Sequence, residues 1–298
     1  MRFKGSFVAL ATPFRHGAVD EPALRKLVRM HLRSGTSGIV PCATTGEAPC
    51  LDHEEWARIL SLVVEEATGK LKVIAYTGTN DTRKTAVRTE HAEALGADAA
   101  LVVTPYYNKP TQEGLYEHFK AVAGASRLPV ILYNVPSRTG VNLEPRTVAR
   151  LAGIANIAGV KEASGNLDQV SQIVRLCGPG FSVLSGDDSL TLPMMAVGAS
   201  GVISVVANIL PGDTARLVAA FLAGDTARAR KLHLKMFPLI KALFMETSPG
   251  PLKTAMEMLG LCSGELRLPL VRPGEAVRKA VAEALKGYGL KIKGKEDL

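Results

Sequence analysis

Eight short apolar runs, each followed by a segment with apolar residues at helical spacing, constrain this chain more than any other feature. The runs are Ser6–Leu10, Gly38–Cys42, Lys72–Tyr76, Ala99–Val103, Val130–Tyr133, Asn156–Lys161, Phe181–Leu184 and Val202–Val206. Each is too short for a helix, so each reads as a buried strand. After the first run, Asp20-Glu-Pro22 marks a helix start, Leu24, Leu27, Val28 and Leu32 share one helical face, and Ser34-Gly35 stops it. Trp56, Ile59, Leu60, Val63 and Val64 repeat the pattern after the second run, closing at Gly69. The helix after Asp81 stops at Gly96, and later helices carry Leu115, Phe119 and Val122, then Val148 and Leu151, Val170 and Ile173, Leu192 and Met195, and Val218 and Phe221.

Strict alternation of eight strands and eight helices at near-constant spacing predicts an α/β protein, a (β/α)₈ TIM barrel, whose usual size is about 250 residues. The alternative is a doubly wound open sheet, but no GxGxxG follows the first strand. From Asp225 onward the pattern is helical only, with a long amphipathic segment at Ala227–Thr247 and shorter ones at Pro251–Leu259 and Gly274–Lys286. The predicted division is therefore a barrel over residues 1–224, carrying the active site, and a C-terminal helical domain over residues 225–298 with a basic tail at Lys291–Lys295.

With 47% apolar and 21% charged residues, the chain is globular rather than disordered. No apolar run is long enough to cross a bilayer. The opening Met1–Phe7 lacks the apolar core and cleavage site of a signal peptide, which predicts a cytoplasmic protein. Cys42, Cys50, Cys177 and Cys262 form no CxxC pair and read as free thiols. The six histidines form no HxH or HExxH, so no metal site is expected. The net charge of +8 is diffuse, which suits a small anionic substrate better than nucleic acid.

In a barrel of this kind, active-site residues lie just after the strands. Those positions hold Ala43-Thr44-Thr45-Gly46-Glu47, Thr104-Pro-Tyr106-Tyr107-Asn108, Tyr133 through Gly140, Lys161 through Gly165, Gly186-Asp-Asp188, and Ile203 with Asn208. A lysine ending a buried strand has two fates. Its long chain snorkels to solvent, or its amine stays desolvated, protonates less readily and becomes a nucleophile toward carbonyl carbon. Singly, each candidate has a plain structural reading: Thr-Thr-Gly and Gly-Asp-Asp as turns, the tyrosines as rim packing, Arg138 as a solvated charge. Together they supply what an imine-forming lyase or aldolase needs. Lys161 is the amine, Tyr133 a phenol to move protons, Thr44 and Thr45 donors for an α-keto acid carboxylate, and Arg138 a cation for a second acid.

Long motifs in the same register carry a resemblance. They are TTGE at Thr44–Glu47, TPYYNKPTQEGLYEHF at Thr104–Phe119, YNVPSRTG at Tyr133–Gly140, GVKEASGN at Gly159–Asn166, LSGDD at Leu184–Asp188 and GVISVVAN at Gly201–Asn208. From about Phe3 to Leu290 the sequence resembles the dihydrodipicolinate synthase family of the N-acetylneuraminate lyase superfamily. That family's fold is a (β/α)₈ barrel with a C-terminal helical domain. The resemblance implies condensation of pyruvate with L-aspartate 4-semialdehyde to (4S)-4-hydroxy-2,3,4,5-tetrahydrodipicolinate, on the route to diaminopimelate and lysine. It implies no cofactor beyond a covalent pyruvate imine on Lys161. By the same resemblance Tyr133, Thr44 and Tyr107 relay protons, with Tyr107 reaching a neighbouring subunit. The Thr44–Thr45 turn holds the pyruvate carboxylate. Arg138 binds the second carboxylate and helps position Tyr133, and backbone groups of Gly186 and Ile203 face the substrate. A homo-oligomer is implied, a tight dimer assembling to a tetramer, with neither nucleic acid nor membrane as partner.

Two departures stand out: Ala43 and Tyr76 occupy positions where the family usually has glycine. Lysine-sensitive bacterial members bind lysine in a cleft at the dimer seam, and the matching positions here are Ala48, His53, Trp56, Asn80, Lys84 and Tyr106. Lys84 stands where the family has a glutamate near the ligand's ammonium, so weak or absent lysine inhibition is expected. N-acetylneuraminate lyases and 2-keto-3-deoxy sugar-acid aldolases share the lysine and tyrosine and are the nearest rivals. Ser137 through Gly140 and the Tyr106-Tyr107 pair favour the synthase. A non-catalytic ligand-binding barrel and a metal-dependent aldolase are more distant alternatives.

Overall fold

Residues 2–293 are described by the computed structural model. Eight parallel strands close into a barrel in chain order: β1 (Gly5–Ala9), β2 (Gly38–Val40), β3 (Lys72–Tyr76), β4 (Ala99–Val103), β5 (Val130–Asn134), β6 (Ile157–Glu162), β7 (Ser182–Ser185) and β8 (Gly201–Ser204), which returns to β1. The connecting helices are α1 (Glu21–Leu32), α2 (His53–Ala67), α3 (Thr82–Ala94), α4 (Gln112–Gly124), α5 (Pro136–Thr139), α6 (Pro145–Leu151), α7 (Leu167–Cys177), α8 (Thr191–Ala196) and α9 (Pro211–Leu222). Three more helices follow: α10 (Thr226–Ala242), α11 (Gly250–Met258) and α12 (Glu275–Tyr288). The TIM barrel expected from the eightfold alternation is the fold observed.

The strands are buried on both faces almost throughout, which is why their sequences are mostly apolar. In β4, Leu101 and Val103 join an inner cluster with Phe7, Ile74, Tyr133 and Ile203, while Ala100 and Val102 join the cluster shared with the helices. Helix starts follow their capping residues. Asp20, Asp52, Asp81, Thr111, Asn166 and Asp225 each accept a backbone N–H from the first turn of α1, α2, α3, α4, α7 and α10. Glu55 completes a capping box with Asp52 at α2.

Several expected boundaries shift, two of them with a plain physical cause. β2 stops at Val40 rather than Cys42, because Pro41 has no N–H to give the ladder and Cys42 takes a φ of 54°. β8 stops at Ser204, because the Val205 and Val206 N–H groups bond the Asp188 carboxylate instead of a strand. The helix expected to run to Thr247 ends at Ala242. Two short features carry no periodic signal: the antiparallel pair Phe14–Arg15 with Ala18–Val19, and α5, one turn directly after β5.

The C-terminal helices close over the barrel's outer helices. Met236, Leu239, Leu252, Val281 and Leu285 belong to one apolar cluster with residues of α1, α2 and α9. The expected basic tail reaches past this region. The Lys293 N–H bonds the Met258 carbonyl at 2.9 Å, and Gly294 and Lys295 lie outside the described residues. No described helix is long and apolar enough to cross a membrane.

Candidate active site

Lys161 lies inside the β6 ladder, one residue before its end, paired with Tyr133 on β5 and Leu184 on β7. Its side chain faces the barrel interior at 3% exposure, so it does not snorkel to solvent. The Nζ sits 4.0 Å from the centre of the Tyr133 ring. A lysine ammonium over an aromatic face is attracted by the ring's quadrupole. Tyr133 is itself buried, among Tyr76, Leu184 and Ile203.

A bulge aims this lysine. Val130 pairs with Ile157, but the next residue, Ile131, pairs with Gly159, so β6 carries one residue more than β5 over this stretch. Paired onward from Val130 and Ile157 with no bulge, Lys161 would fall opposite Asn134 and face the helices, because a one-residue slip turns every side chain over. The signal was legible as Gly159, since glycine inside a strand often marks a bulge.

Beyond the lysine, the strand end is fixed by polar groups. Glu162 is buried and turns away into a network, accepting from Asn134 Nδ2 at 3.0 Å, Gln169 Nε2 at 3.2 Å and the Ser164 N–H at 2.7 Å. The Gly186 N–H donates to the Glu162 carbonyl at 2.8 Å, which brings the β7 turn against the lysine stem. A Cβ at Gly186 would lie 2.8 Å from Ala163 Cβ and 3.1 Å from Lys161 Cε. Asp188 receives the Val205 and Val206 N–H groups at 2.9 and 2.8 Å and so holds the chain just past Ile203. Burial pushes its carboxyl above the usual range, and those hydrogen bonds pull it back. Glu162 and Asp188 sat within quoted motifs, yet their buried partners were not readable from spacing.

Thr44 and Thr45 occupy the turn after β2, Thr44 half-buried and Thr45 3% exposed. The turn is closed by the Glu47 N–H on the Thr44 carbonyl and the Ala48 N–H on the Ala43 carbonyl, both at 3.2 Å. Cys42 and Glu47, not Ala43, take the positive φ values, so alanine fits where the family usually has glycine. Arg138 lies on α5 and donates from Nη2 to the Ser248 carbonyl at 3.2 Å. Tyr76 is buried in the inner cluster with Tyr133 and Tyr106. Desolvation first, then those two phenols, hold its hydroxyl well above the usual tyrosine range.

Tyr106 is half-buried against the inner cluster, whereas Tyr107 is 89% exposed and takes a φ of 72°. For a bulky residue that backbone region carries a cost. Among the described residues, no hydrogen bond joins Thr44 to Tyr133 or to Tyr107.

A separate cleft of about 580 Å³ is lined by His53, Thr79, Asp81, Arg83, Lys84, Val87 and Arg88. Of the six positions expected to line a lysine cleft, His53 and Lys84 are on its wall. Trp56 is buried beneath, stacked on His53 at 5.6 Å, with its indole N–H on the Tyr76 carbonyl. The Asn80 carbonyl accepts from Asn108, and Ala48 and Tyr106 belong with the inner cluster. No group of three or more His, Cys, Asp or Glu side chains is placed to hold a metal ion among the described residues.

A closed (β/α)₈ barrel with a buried amine against a phenol at its mouth defines a lyase of the aldolase type. The profile of the dihydrodipicolinate synthetase family matches residues 2–288, and the chain belongs to that family. It is 56% identical over 288 residues to a 4-hydroxy-tetrahydrodipicolinate synthase of Geotalea uraniireducens, covering 97% of this chain and 99% of the other. A protein of the same name from Syntrophus aciditrophicus is 52% identical over the same shares. The crystal structure of dihydrodipicolinate synthase from Aquifex aeolicus superposes with a TM-score of 0.96 at 50% identity, covering 98% of this chain and all (100%) of the other.

The space at Gly186 is testable. Gly186→Ala forces a methyl against the lysine stem, and overpacking of this kind costs about 1–3 kcal/mol. We expect trapping of a keto-acid probe on Lys161 by borohydride to slow at least about tenfold, since small misplacements of reacting groups are expensive. Trapping at the wild-type rate would show that the stem has room to move.

Proposed function

We propose that this chain condenses pyruvate with L-aspartate 4-semialdehyde to give (4S)-4-hydroxy-2,3,4,5-tetrahydrodipicolinate. The observation that carries the reading is the Lys161 amine, 3% exposed and 4.0 Å from the Tyr133 ring centre. The neutral amine attacks C2 of pyruvate, the carbinolamine loses water, and the imine draws electrons from the C3–H bond. Loss of that proton gives an enamine, whose C3 attacks the aldehyde carbon. The new alkoxide takes a proton and remains as the 4-hydroxyl. The amino group of the second substrate then attacks the imine carbon, closes the ring and frees Lys161. One water is released overall. The imine is the electron sink, so the chemistry calls for no metal or other cofactor.

In this reading Tyr133 moves protons at the lysine, Thr44 extends the relay, and Thr44 with Thr45 holds the pyruvate carboxylate. Arg138, anchored on the Ser248 carbonyl, takes the carboxylate of the second substrate. The Gly186 N–H is already bonded to Glu162, which leaves its carbonyl for the substrate, as with the backbone of Ile203. Free thiols such as Cys42 suit a cytoplasmic setting. Pyruvate with borohydride should label Lys161 in a peptide mass map. Arg138→Leu should lower turnover with the semialdehyde by at least about tenfold while changing labelling less, because truncating a paired charge costs a few kcal/mol. No label at Lys161, or faster cleavage of N-acetylneuraminate or a 2-keto-3-deoxy sugar acid than condensation, would defeat the reading.

Tyr107 supports a reading of assembly. Its exposure of 89% and φ of 72° suit a residue presented to a neighbouring subunit's site, in a tight dimer that pairs into a tetramer. A structural relative at 42% identity is described as a monomeric dihydrodipicolinate synthase variant. Ultracentrifugation alongside activity should find the active species dimeric or larger. A fully active monomer would remove Tyr107 from the relay.

Regulation by lysine is expected to be weak. A dihydrodipicolinate synthase of Cyanidioschyzon merolae, 37% identical with a TM-score of 0.94, is described with lysine bound. Here the cleft presents Arg83, Lys84 and Arg88 against one acid, Asp81, whose carboxylate caps α3. Like unit charges a few ångströms apart repel by roughly 1–4 kcal/mol, depending on exposure. L-lysine titrated at sub-saturating pyruvate should leave activity above half at one millimolar, and Lys84→Glu should strengthen any inhibition present. Half-inhibition by wild type below about one millimolar, near −4 kcal/mol of binding, would contradict this.

A further inference from the structure

One buried ion pair joins the catalytic turn to the C-terminal helices. Lys253 Nζ lies 2.5 Å from Glu47 Oε1, and both side chains have 0% exposure. The residues are 206 positions apart in the chain. Lys253 also donates to the Glu265 carbonyl at 2.6 Å and sits 4.2 Å over the Phe14 ring. The second carboxylate oxygen of Glu47 accepts the Arg267 N–H at 2.9 Å. Arg267 in turn stacks on Phe14 and grips Glu55 with two nitrogens. Burial pushes the Lys253 ammonium below the usual lysine range, and the Glu47 charge pulls it back up.

Such a pair is a poor device for stability alone, because desolvating two charges offsets most of their attraction and a well-packed apolar pair does as well. Its location suggests what else it does. Glu47 ends the Thr44–Glu47 turn in a left-handed conformation, φ 57°, with its N–H on the Thr44 carbonyl. Its backbone is thus tied directly to Thr44. On the other side, Lys253 belongs to α11, which begins two residues after Ser248, whose carbonyl anchors Arg138. One helix thus reaches both groups assigned to the substrates' carboxylates.

We propose that Glu47 and Lys253 are positioning residues: their ion pair sets the Thr44–Thr45 turn in the geometry that receives the pyruvate carboxylate. This rests on the function proposed above. Neither residue touches the reacting atoms, so the effect falls on pyruvate binding rather than on the chemistry at Lys161.

The test uses the full chain and borohydride trapping of pyruvate over a range of pyruvate concentrations, with thermal melts. Lys253→Met leaves the Glu47 charge buried without its cation. The double variant Glu47→Gln with Lys253→Met removes both charges and nearly keeps the volume, so it carries the test if the single variant does not fold. In both, half-saturating pyruvate should rise at least about tenfold while the rate at saturating pyruvate stays within about twofold, the pattern of lost positioning in the substrate-bound state. The double variant's melting temperature should recover toward wild type, since no lone charge is buried. If half-saturating pyruvate in the double variant matches wild type, the pair is only structural and the proposal falls. It also falls if saturating rate and melting temperature drop together with no change in half-saturation. A wild type that traps no pyruvate would bring down the proposed function itself, and this inference with it.

Discussion

The contact between the Lys161 amine and the Tyr133 ring depends on which face of β6 the lysine occupies, and a single extra residue near Ala158 decides that. Side chains alternate strictly across a strand, so register is all-or-none: either Lys161 is inside with Tyr133, or it is outside among helices. Closure of the barrel makes the choice permanent. β6 is hydrogen-bonded on both sides, to β5 and β7, and neither neighbour can slide without breaking the ring. The Glu162 network then pins the strand end from behind, through Asn134, Asn142 and Gln169.

The polar groups around this contact show how a barrel handles charge at its mouth. Glu162, Asp188, Glu47 and Lys253 are all nearly or fully buried. Each has partners: side-chain amides for Glu162, backbone N–H groups for Asp188, an ion pair for Glu47 and Lys253. A buried polar group with partners is tolerated, whereas one without them costs a few kcal/mol. None of these side chains pairs with Lys161, and the three acidic ones fasten the segments that carry Lys161, Ile203 and Thr44. The mouth is thus assembled from turns that are each tied down separately.

Tyr76 and Trp56 couple this mouth to the neighbouring cleft. The Trp56 indole bonds the Tyr76 carbonyl at 2.9 Å, and its ring lies under His53 on the cleft wall. Tyr76 packs with Tyr133 on the inner side. The side chain that departs from the family's glycine is therefore accommodated inside the barrel, not at its surface.

Periodicity in the sequence determined the barrel, because a parallel strand covered on both faces must be apolar throughout and a covering helix must be apolar on one face. It likewise placed Lys161 and Tyr133 at strand ends and Thr44, Arg138 and Gly186 in the segments just after them. Helix starts were local as well: Asp20, Asp81 and Asp225 cap within their own first turn. Only the tertiary structure decided which way Lys161 faces, because Gly159 hints at a bulge without saying where the extra residue goes. It alone revealed that Glu47 meets Lys253 across 206 positions, and that two of six expected cleft residues share one wall. Spacing along a chain fixes neighbours three or four residues apart on a helix and two apart on a strand. Contacts between distant segments arise only when the ring closes and the last helices fold back over it.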